Sequence, residues 1–313
     1  MKLYFAPLEG ITGYVFRNAY EKYYGGIERY FTPFITPHTK KNMDTREKRD
    51  ILPENNKGIN LIPQVLTNKS EELISISKEL REYGYQEINL NIGCPSKTVT
   101  AKGKGAAFLE QPEELERFFD AYFGTSDVGL SIKTRIGMWE TEEAEGLFKV
   151  FERFPFTEVI VHARLGSEFY GGTCHHDVFE SYGEISKHSL CYNGDITSKE
   201  QLQELDKKWD FCHKFMLGRG LIANPGMLHA DESGVKGDIE RFRQFHNELL
   251  EGYMAYLSGD RPTLFHMKEL WGYWIRRFPG EEKLLKQIKK SDSIREYITA
   301  VNGLLSKFTR PGT

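Results

Sequence analysis

A chain of 313 residues, 39% hydrophobic and 28% charged, with a mean hydropathy of −0.51, has the composition of a globular protein with room for one large domain and a smaller second unit. No apolar run approaches the roughly 18 residues of a membrane span. Pro7 and Glu9 break the first apolar stretch too early for a secretory signal. Cys94, Cys174, Cys191 and Cys212 form no CxxC pair and no zinc-like spacing, so reduced thiols, no metal site and a cytoplasmic location are the expectations. The net charge of −3 argues against a simple nucleic-acid binder, but it is unevenly spread. Residues 239–313 carry 13 Lys+Arg against 9 Asp+Glu, a balance of +4, which leaves −7 on residues 1–238. A basic tail on an acidic body suits an RNA-contacting module on a catalytic domain, and equally a solvated helical face.

Along the chain, eight short apolar runs read as strands: Leu3–Pro7, Tyr30–Ile35, Leu61–Leu66, Glu87–Ile92, Gly129–Thr134, Glu158–Ala163, Leu190–Asn193 and Phe215–Leu217. Several are nearly continuous in Val, Ile, Leu and Phe, as parallel strands covered on both faces require. Amphipathic stretches at 70–83, 112–123, 142–154 and 198–205 alternate with them, with Ser70 and Ser198 placed as N-caps and Pro112 in a first turn. Residues 36–58 are polar and irregular. Eight β/α units predict an α/β fold, a (β/α)₈ TIM barrel over residues 1–238. From about residue 239 the strand signal ends. Helices are expected at 239–257, 264–277, 281–289 and 293–308, with Pro262 and Pro279-Gly280 as breakers, giving an all-helical C-terminal domain over 239–313.

Chemistry in such a barrel lies where the strands end. Here strand after strand ends in polar or glycine-rich residues: Pro7-Leu8-Glu9-Gly10, Gln64, Asn91-Ile92-Gly93-Cys94-Pro95, Lys133 and Arg135, His162-Ala163-Arg164, Asn193-Gly194-Asp195, and Gly218-Arg219-Gly220. The last two loops are where this fold often cradles phosphate, glycine permitting close backbone approach and Arg219 adding charge. A lysine in mid-strand, Lys133, is costly to bury unless it meets an electron-rich partner such as the N1/O2 edge of a flavin. Taken singly, each feature also has a plain structural reading, since a lone buried cysteine is usually a small hydrophobe. Gly103-Lys104-Gly105 lacks the third glycine and the context of a dinucleotide fingerprint, and no Walker, HExxH or GxSxG sequence occurs.

In this order these segments resemble the tRNA-dihydrouridine synthases: Ala6-Pro7-Leu8-Glu9-Gly10, Gln64, Asn89-Leu90-Asn91-Ile92-Gly93-Cys94-Pro95, Lys102-Gly103-Lys104-Gly105-Ala106-Ala107, Lys133-Thr134-Arg135-Ile136-Gly137, His162-Ala163-Arg164, Asn193-Gly194-Asp195-Ile196 and Gly218-Arg219-Gly220. The Asn-Ile-Gly-Cys-Pro segment is the most specific. The tail resembles the family's RNA-binding domain more weakly, through His266-Met267-Lys268 and Trp271–Arg277. The resemblance implies FMN held by Pro7, Leu8, Glu9, Gln64, Lys133, His162, Asn193, Gly194, Asp195, Gly218 and Arg219. It implies Asn91 on the uracil, Cys94 as the acid that protonates C5, NADPH as electron donor, and tRNA as partner. Substrate contacts are also expected from Arg164, Lys268, Arg276 and Arg277. Leu165-Gly166-Ser167-Glu168 and Thr32-Pro33-Phe34 depart from the family's usual pattern. The rival readings are an FMN barrel dehydrogenase of a free pyrimidine-like molecule and a non-catalytic RNA-binding protein.

Overall fold

The computed structural model describes residues 1–37, 41–229 and 234–309. Nine strands, β1 (Lys2–Phe5), β2 (Arg29–Phe31), β3 (Leu61–Ile62), β4 (Gln64–Val65), β5 (Glu87–Ile92), β6 (Gly129–Gly137), β7 (Val159–Leu165), β8 (Leu190–Asn193) and β9 (Lys214–Leu217), form one sheet in the order β3-β2-β1-β9-β8-β7-β6-β5-β4. Every pairing is parallel. The two ends of that order are one run of chain: Pro63, which has no N–H to donate, divides the expected Leu61–Leu66 strand into β3 and β4. Its carbonyl still accepts from Asn89 N (2.9 Å), so the nine segments are eight staves of a nearly closed barrel. This is the (β/α)₈ architecture expected.

The strands are buried for the reason their composition suggests. All seven residues of β7 are buried, and in β5 Ile88, Leu90 and Ile92 have no exposed surface. Their alternates Asn89 and Asn91 point to the other face, toward polar residues of β4 and β6. The helices in chain order are α1 (Tyr14–Tyr23), α2 (Thr45–Ile51), α3 (Ser70–Glu82), α4 (Lys97–Thr100), α5 (Pro112–Phe123), α6 (Glu143–Phe151), α7 (His176–Ile185), α8 (Lys199–Lys208) and α9 (Arg219–Ala223). After them come α10 (Gly234–Tyr256), α11 (Asp260–Trp274), α12 (Glu282–Lys290) and α13 (Ile294–Thr309).

Local chemistry corrects several expectations. The irregular stretch 36–58 contains α2, started by a capping box in which Asp44 accepts from Glu47 N and Glu47 from Asp44 N. Ser198 caps α8 through Gln201 N (3.2 Å), but Ser70 is the first residue of α3 and makes no cap bond. Pro262 does not break a helix. It sits in the first turn of α11, where a missing N–H leaves nothing unsatisfied.

Contacts divide the chain into two compact units. One comprises Met1–Pro7, Glu28–Asp195 and Leu202–Leu217; the other comprises Leu8–Ile27, Ile196–Gln201 and Gly218–Thr313. Chain order and packing thus differ, since α1 and α9 group with the C-terminal helices. Phe16 of α1 meets Phe245 of α10 edge-on at 5.8 Å, and Lys22 pairs with Glu248 at 2.6 Å. The helical core is aromatic, built on Phe242, Phe245, Trp271, Trp274 and Phe278.

One polar chain crosses that core. Trp271 Nε1 donates to Tyr297 Oη (2.8 Å), which faces His246 Nε2 (2.6 Å), while His246 Nδ1 faces Asn247 Oδ1 (3.1 Å). The pattern is satisfied with a neutral imidazole that donates from Nδ1 and accepts at Nε2. Burial lowers the His246 pKa from 6.5 to about 4. The unfolded chain therefore binds a proton that the folded one refuses, and stability falls as pH drops from 6.5 toward 4. The loss is about 3 kcal/mol when complete. Urea titrations across that window should show a steeper loss for the wild type than for His246→Gln; equal slopes would show that the imidazole titrates as freely when folded as when unfolded.

Candidate active site at the barrel mouth

Strand register sets Gln64 beside Asn89 and Asn91 beside Lys133. The inward amides then form a ladder across three strands. Asn89 Nδ2 donates to Ser131 Oγ (3.0 Å), Gln64 Nε2 to Asn89 Oδ1 (2.8 Å), and Asn91 Nδ2 to Gln64 Oε1 (2.9 Å). Asn91 Oδ1 finally accepts from the backbone N–H groups of Gly93 (3.1 Å) and Cys94 (3.0 Å). Buried amides must find partners, and here their satisfaction dictates where the chain turns after β5. Asn91 keeps one N–H for another acceptor.

The turn is held from two further sides. Ala106 N donates to the Cys94 carbonyl (3.0 Å), and Gly105 permits that approach, since a Cβ there would lie 2.5 Å from Cys94 O at a φ of +61°. Arg135 Nε donates to Gly93 O (2.9 Å), while its two terminal nitrogens donate to Leu165 O and Phe169 O beyond β7. Arg135 is buried, and desolvation lowers its pKa to about 10. It carries no role in the sequence reading, although its place two residues after Lys133 on the same strand was the available signal. Among the four cysteines, Cys191 and Cys212 are buried with thiols pushed up by burial, whereas Cys94 and Cys174 keep partial access.

Lys133 projects beside Asn91. Part of its side chain is accessible, but its ammonium is desolvated, which pushes its pKa down to about 8 with Arg135 adding repulsion. It makes no hydrogen bond or ion pair among the described residues. An ammonium held there without an anion is a fit for an electron-rich group that the barrel would bind.

His162 is the register partner of both Arg135 and Asn193, so β6, β7 and β8 bring their expected residues side by side. Arg164 is fully committed to protein. Its nitrogens meet Gly171 O (2.9 Å), Gly172 O (2.9 Å), Cys174 Sγ (3.1 Å), His162 Nε2 (3.3 Å) and Asp195 Oδ2. Arg164 and Asp195, expected on substrate and cofactor respectively, are here each other's ion pair. Asn193 donates from its side chain to Met216 O (2.7 Å), bracing β8 on β9. Gly194, at a φ of +151°, leaves no room for a Cβ, which would lie 2.6 Å from Cys174 Sγ.

In the second unit, Leu8 N donates to Thr12 Oγ1 (2.8 Å) and Leu8 O accepts from Ile11 N and Thr12 N, closing a turn around Gly10. Glu9 is exposed and Pro7, in the first unit, half-buried. Gly218 and exposed Arg219 start α9, and Gly220 lets that turn press on the Ile196 carbonyl, 2.2 Å from where a Cβ would stand.

The dihydrouridine synthase (Dus) family model matches residues 4–304. The chain belongs to the dihydrouridine synthase family. Among curated relatives, it is 26% identical over 239 residues to tRNA-dihydrouridine synthase B of Pasteurella multocida, covering 76% of this chain and 70% of that protein. It is also 26% identical over 303 residues to a probable tRNA-dihydrouridine synthase of Staphylococcus epidermidis, covering 93% and 90%. A solved variant of NCR from Zymomonas mobilis shares the fold at a TM-score of 0.50 and 13% identity, over 72% of this chain and 83% of that one.

In this member of the family, the tail cations named from sequence divide by environment. Arg277 is buried against Asp238 (2.8 Å) with its guanidinium 4.5 Å from the Phe242 ring centroid. Lys268 donates to Ser291 O at the end of α12, as a cation there should. Arg276 is exposed. Sequence reasoning placed a helix at 281–289 but missed a stronger feature, the lysine face of α12. The helix buries Leu285 and Ile288 and presents Lys283, Lys286, Lys289 and Lys290 to solvent, with no ion pair to any of them among the described residues. The Lys-x-x-Lys-x-x-x-Lys spacing was the available signal.

The Cys94 turn yields a direct test. Gly105→Ala adds a methyl that collides with Cys94 O in a left-handed backbone, so the turn must shift. The rate of Cys94 alkylation by iodoacetamide should change several-fold while Cys174 alkylation in the same protein stays constant. Unchanged Cys94 alkylation would show the turn to be indifferent to this contact.

Proposed function

We propose that the chain reduces uridines of tRNA to dihydrouridine, using FMN as resident cofactor and NADPH as reductant. The observation that carries the reading is the pairing, on neighbouring strands at the barrel mouth, of a partly accessible thiol on a fixed turn with an unpartnered, desolvated ammonium. Lys133, Gln64, His162 and the glycine-bearing end of β8 would hold the FMN, and Pro7 would border it. Bound there and reduced, FMN would supply the hydride that the C6 position of the uracil ring needs.

The rest of the chemistry belongs to protein groups. A uracil must leave its stack to reach a barrel mouth. The remaining N–H of Asn91 is placed to donate to a uracil carbonyl. Once C6 has gained hydride, the ring is an enolate with a nucleophilic C5, and Cys94 donates its S–H proton there. A protonated thiol is a competent general acid. The thiolate left behind recovers its proton from water through the open side of the turn.

The purified protein should be yellow, with about one non-covalent FMN per chain, and Cys94→Ala should keep that flavin and its oxidation of NADPH. Reoxidation of pre-reduced enzyme by tRNA should slow about 10²–10⁴-fold in that variant, as loss of a general acid does. Wild-type rates of reoxidation and dihydrouridine formation would remove Cys94 from the mechanism, and a colourless protein that takes up no FMN would remove the flavin.

Truncating the tail at residue 239 would strip α1 of its partner Phe245 and confuse unfolding with lost affinity. Charge removal on α12 is cleaner. Lys283, Lys286 and Lys290 replaced together by Gln should lower the slope of log K for tRNA against log salt by about two to three. An unchanged slope would place the RNA elsewhere. Turnover of free uracil at rates matching tRNA would favour a small-molecule dehydrogenase.

A further inference from the structure

Resting on the reading of the substrate as RNA, we infer that the barrel unit carries its own single-strand surface flanking Cys94, with Lys69, Lys102 and Lys104 set for phosphates on one side and Trp139, Phe169 and Tyr170 set for base stacking on the other. The two halves are joined by one short segment. The 3₁₀ turn Gly105–Glu110 begins immediately after Lys104 and donates Ala106 N to Cys94 O. At its far end Glu110 accepts from Trp139 Nε1 (2.7 Å). Six residues at a rise of about 2 Å each set the halves roughly 12 Å apart.

On the basic side, two of the three lysines share one carboxylate. Glu72 lies 3.4 Å from Lys69 and 3.8 Å from Lys104, and Thr67 also donates to it (2.5 Å). Asn68 Nδ2 donates to Lys102 O and Gly103 O (both 3.2 Å), drawing the lysine loop onto residues 67–69. Burial and the charges of Lys102 and Lys69 lower the Lys104 pKa, as mutual repulsion without enough anion would. Among the described residues, Glu72 is the carboxylate that pairs with any of the three lysines.

The aromatic side is exposed and held rigid. Trp139 is 59% exposed, Tyr170 55% and Phe169 41%, an unusual expenditure of apolar surface. The carboxylate of Glu143 accepts from the backbone N–H groups of Met138, Trp139 and Glu140 (2.7, 2.8 and 2.8 Å). Phe169 is held at a φ of +53° with its carbonyl on Arg135, and the Tyr170 ring lies 5.6 Å from the same guanidinium. Gly166 N and Ser167 N donate to Gly137 O and Met138 O (both 2.9 Å), so the two aromatic loops run side by side past the ends of their strands. Cations beside rigid exposed rings are what single-stranded nucleic acid binds, backbone on the one and bases on the other. A phosphate backbone accounts for three lysines gathered around a single paired carboxylate, and a free pyrimidine would not span both halves.

Fluorescence anisotropy with unmodified tRNA and with an eight-residue oligouridine separates the two halves. Lys69→Gln/Lys102→Gln should reduce the salt slope for oligouridine by about 1.4. Trp139→Ala/Tyr170→Ala should weaken oligouridine about tenfold or more without changing that slope, and Trp139→Phe/Tyr170→Phe should restore it. The KM for tRNA should rise in both Gln and Ala variants while kcat at saturation and FMN content hold. Wild-type affinity and slope in both would overturn the inference, as would a change confined to the KM for NADPH. Failure of the wild-type enzyme to bind or reduce tRNA would instead overturn the functional reading beneath it.

Discussion

A carbonyl oxygen on one asparagine side chain accepts two backbone N–H groups, and the position of the thiol follows from it. Asn91 Oδ1 meets Gly93 N and Cys94 N, while its Nδ2 meets Gln64, which is tied in turn to Asn89 and Ser131. Each link is a neutral hydrogen bond worth about 1 kcal/mol net, but breaking any of them strands a buried amide at a larger cost. The ladder is therefore stiff because its failure is expensive. Support for the first atoms of the Cys94 turn comes from inside the barrel, from the amide ladder across β4, β5 and β6.

Arg135 extends the same constraint outward. Its guanidinium spends three N–H groups on carbonyls of two different loops, Gly93 on one side and Leu165 and Phe169 on the other. A fork geometry suits that task, and lysine could not span it. Arg164 does equivalent work one strand over, gathering Gly171, Gly172, Cys174 and Asp195. Two buried arginines thus serve as internal braces, while Lys133, on the strand of Arg135, has no acceptor among the described residues. The contrast sorts buried cations into those that hold the site and the one left to meet a ligand.

What could be read from the sequence follows the same physics. Short apolar runs identified all eight staves, several of them nearly continuous because a strand covered on both faces favours that pattern. The polar strand ends marked the site for the converse reason, since Gln64, Asn91 and Lys133 are too costly to bury as scaffold alone. Which of those residues face one another was hidden. The Arg164–Asp195 pair joins β7 to the end of β8 across 31 positions, and only the register of three strands reveals it. Capping was half legible: Asp44 and Glu47 show the spacing of a capping box, yet the surrounding polarity of residues 36–58 masked α2. Pro262 misled because the same residue ends one helix and begins another, and its meaning depends on where the N-cap falls.

The charge asymmetry read from composition also changes meaning once placed. The tail's excess of +4 includes Arg277, whose charge is consumed by Asp238, and Lys268, whose ammonium closes a helix end. What remains for solvent is concentrated on α12, where Leu285 and Ile288 anchor one face and lysines crowd the other. Like charges at three- and four-residue spacing destabilise an isolated helix by a few tenths of a kcal/mol per pair. A helix that keeps them must be supported by its packing, and the buried leucine and isoleucine supply that support. The tertiary contacts of α12 thus stabilise an electrostatic arrangement that the helix alone would resist, and a polyanion bound there would relieve it.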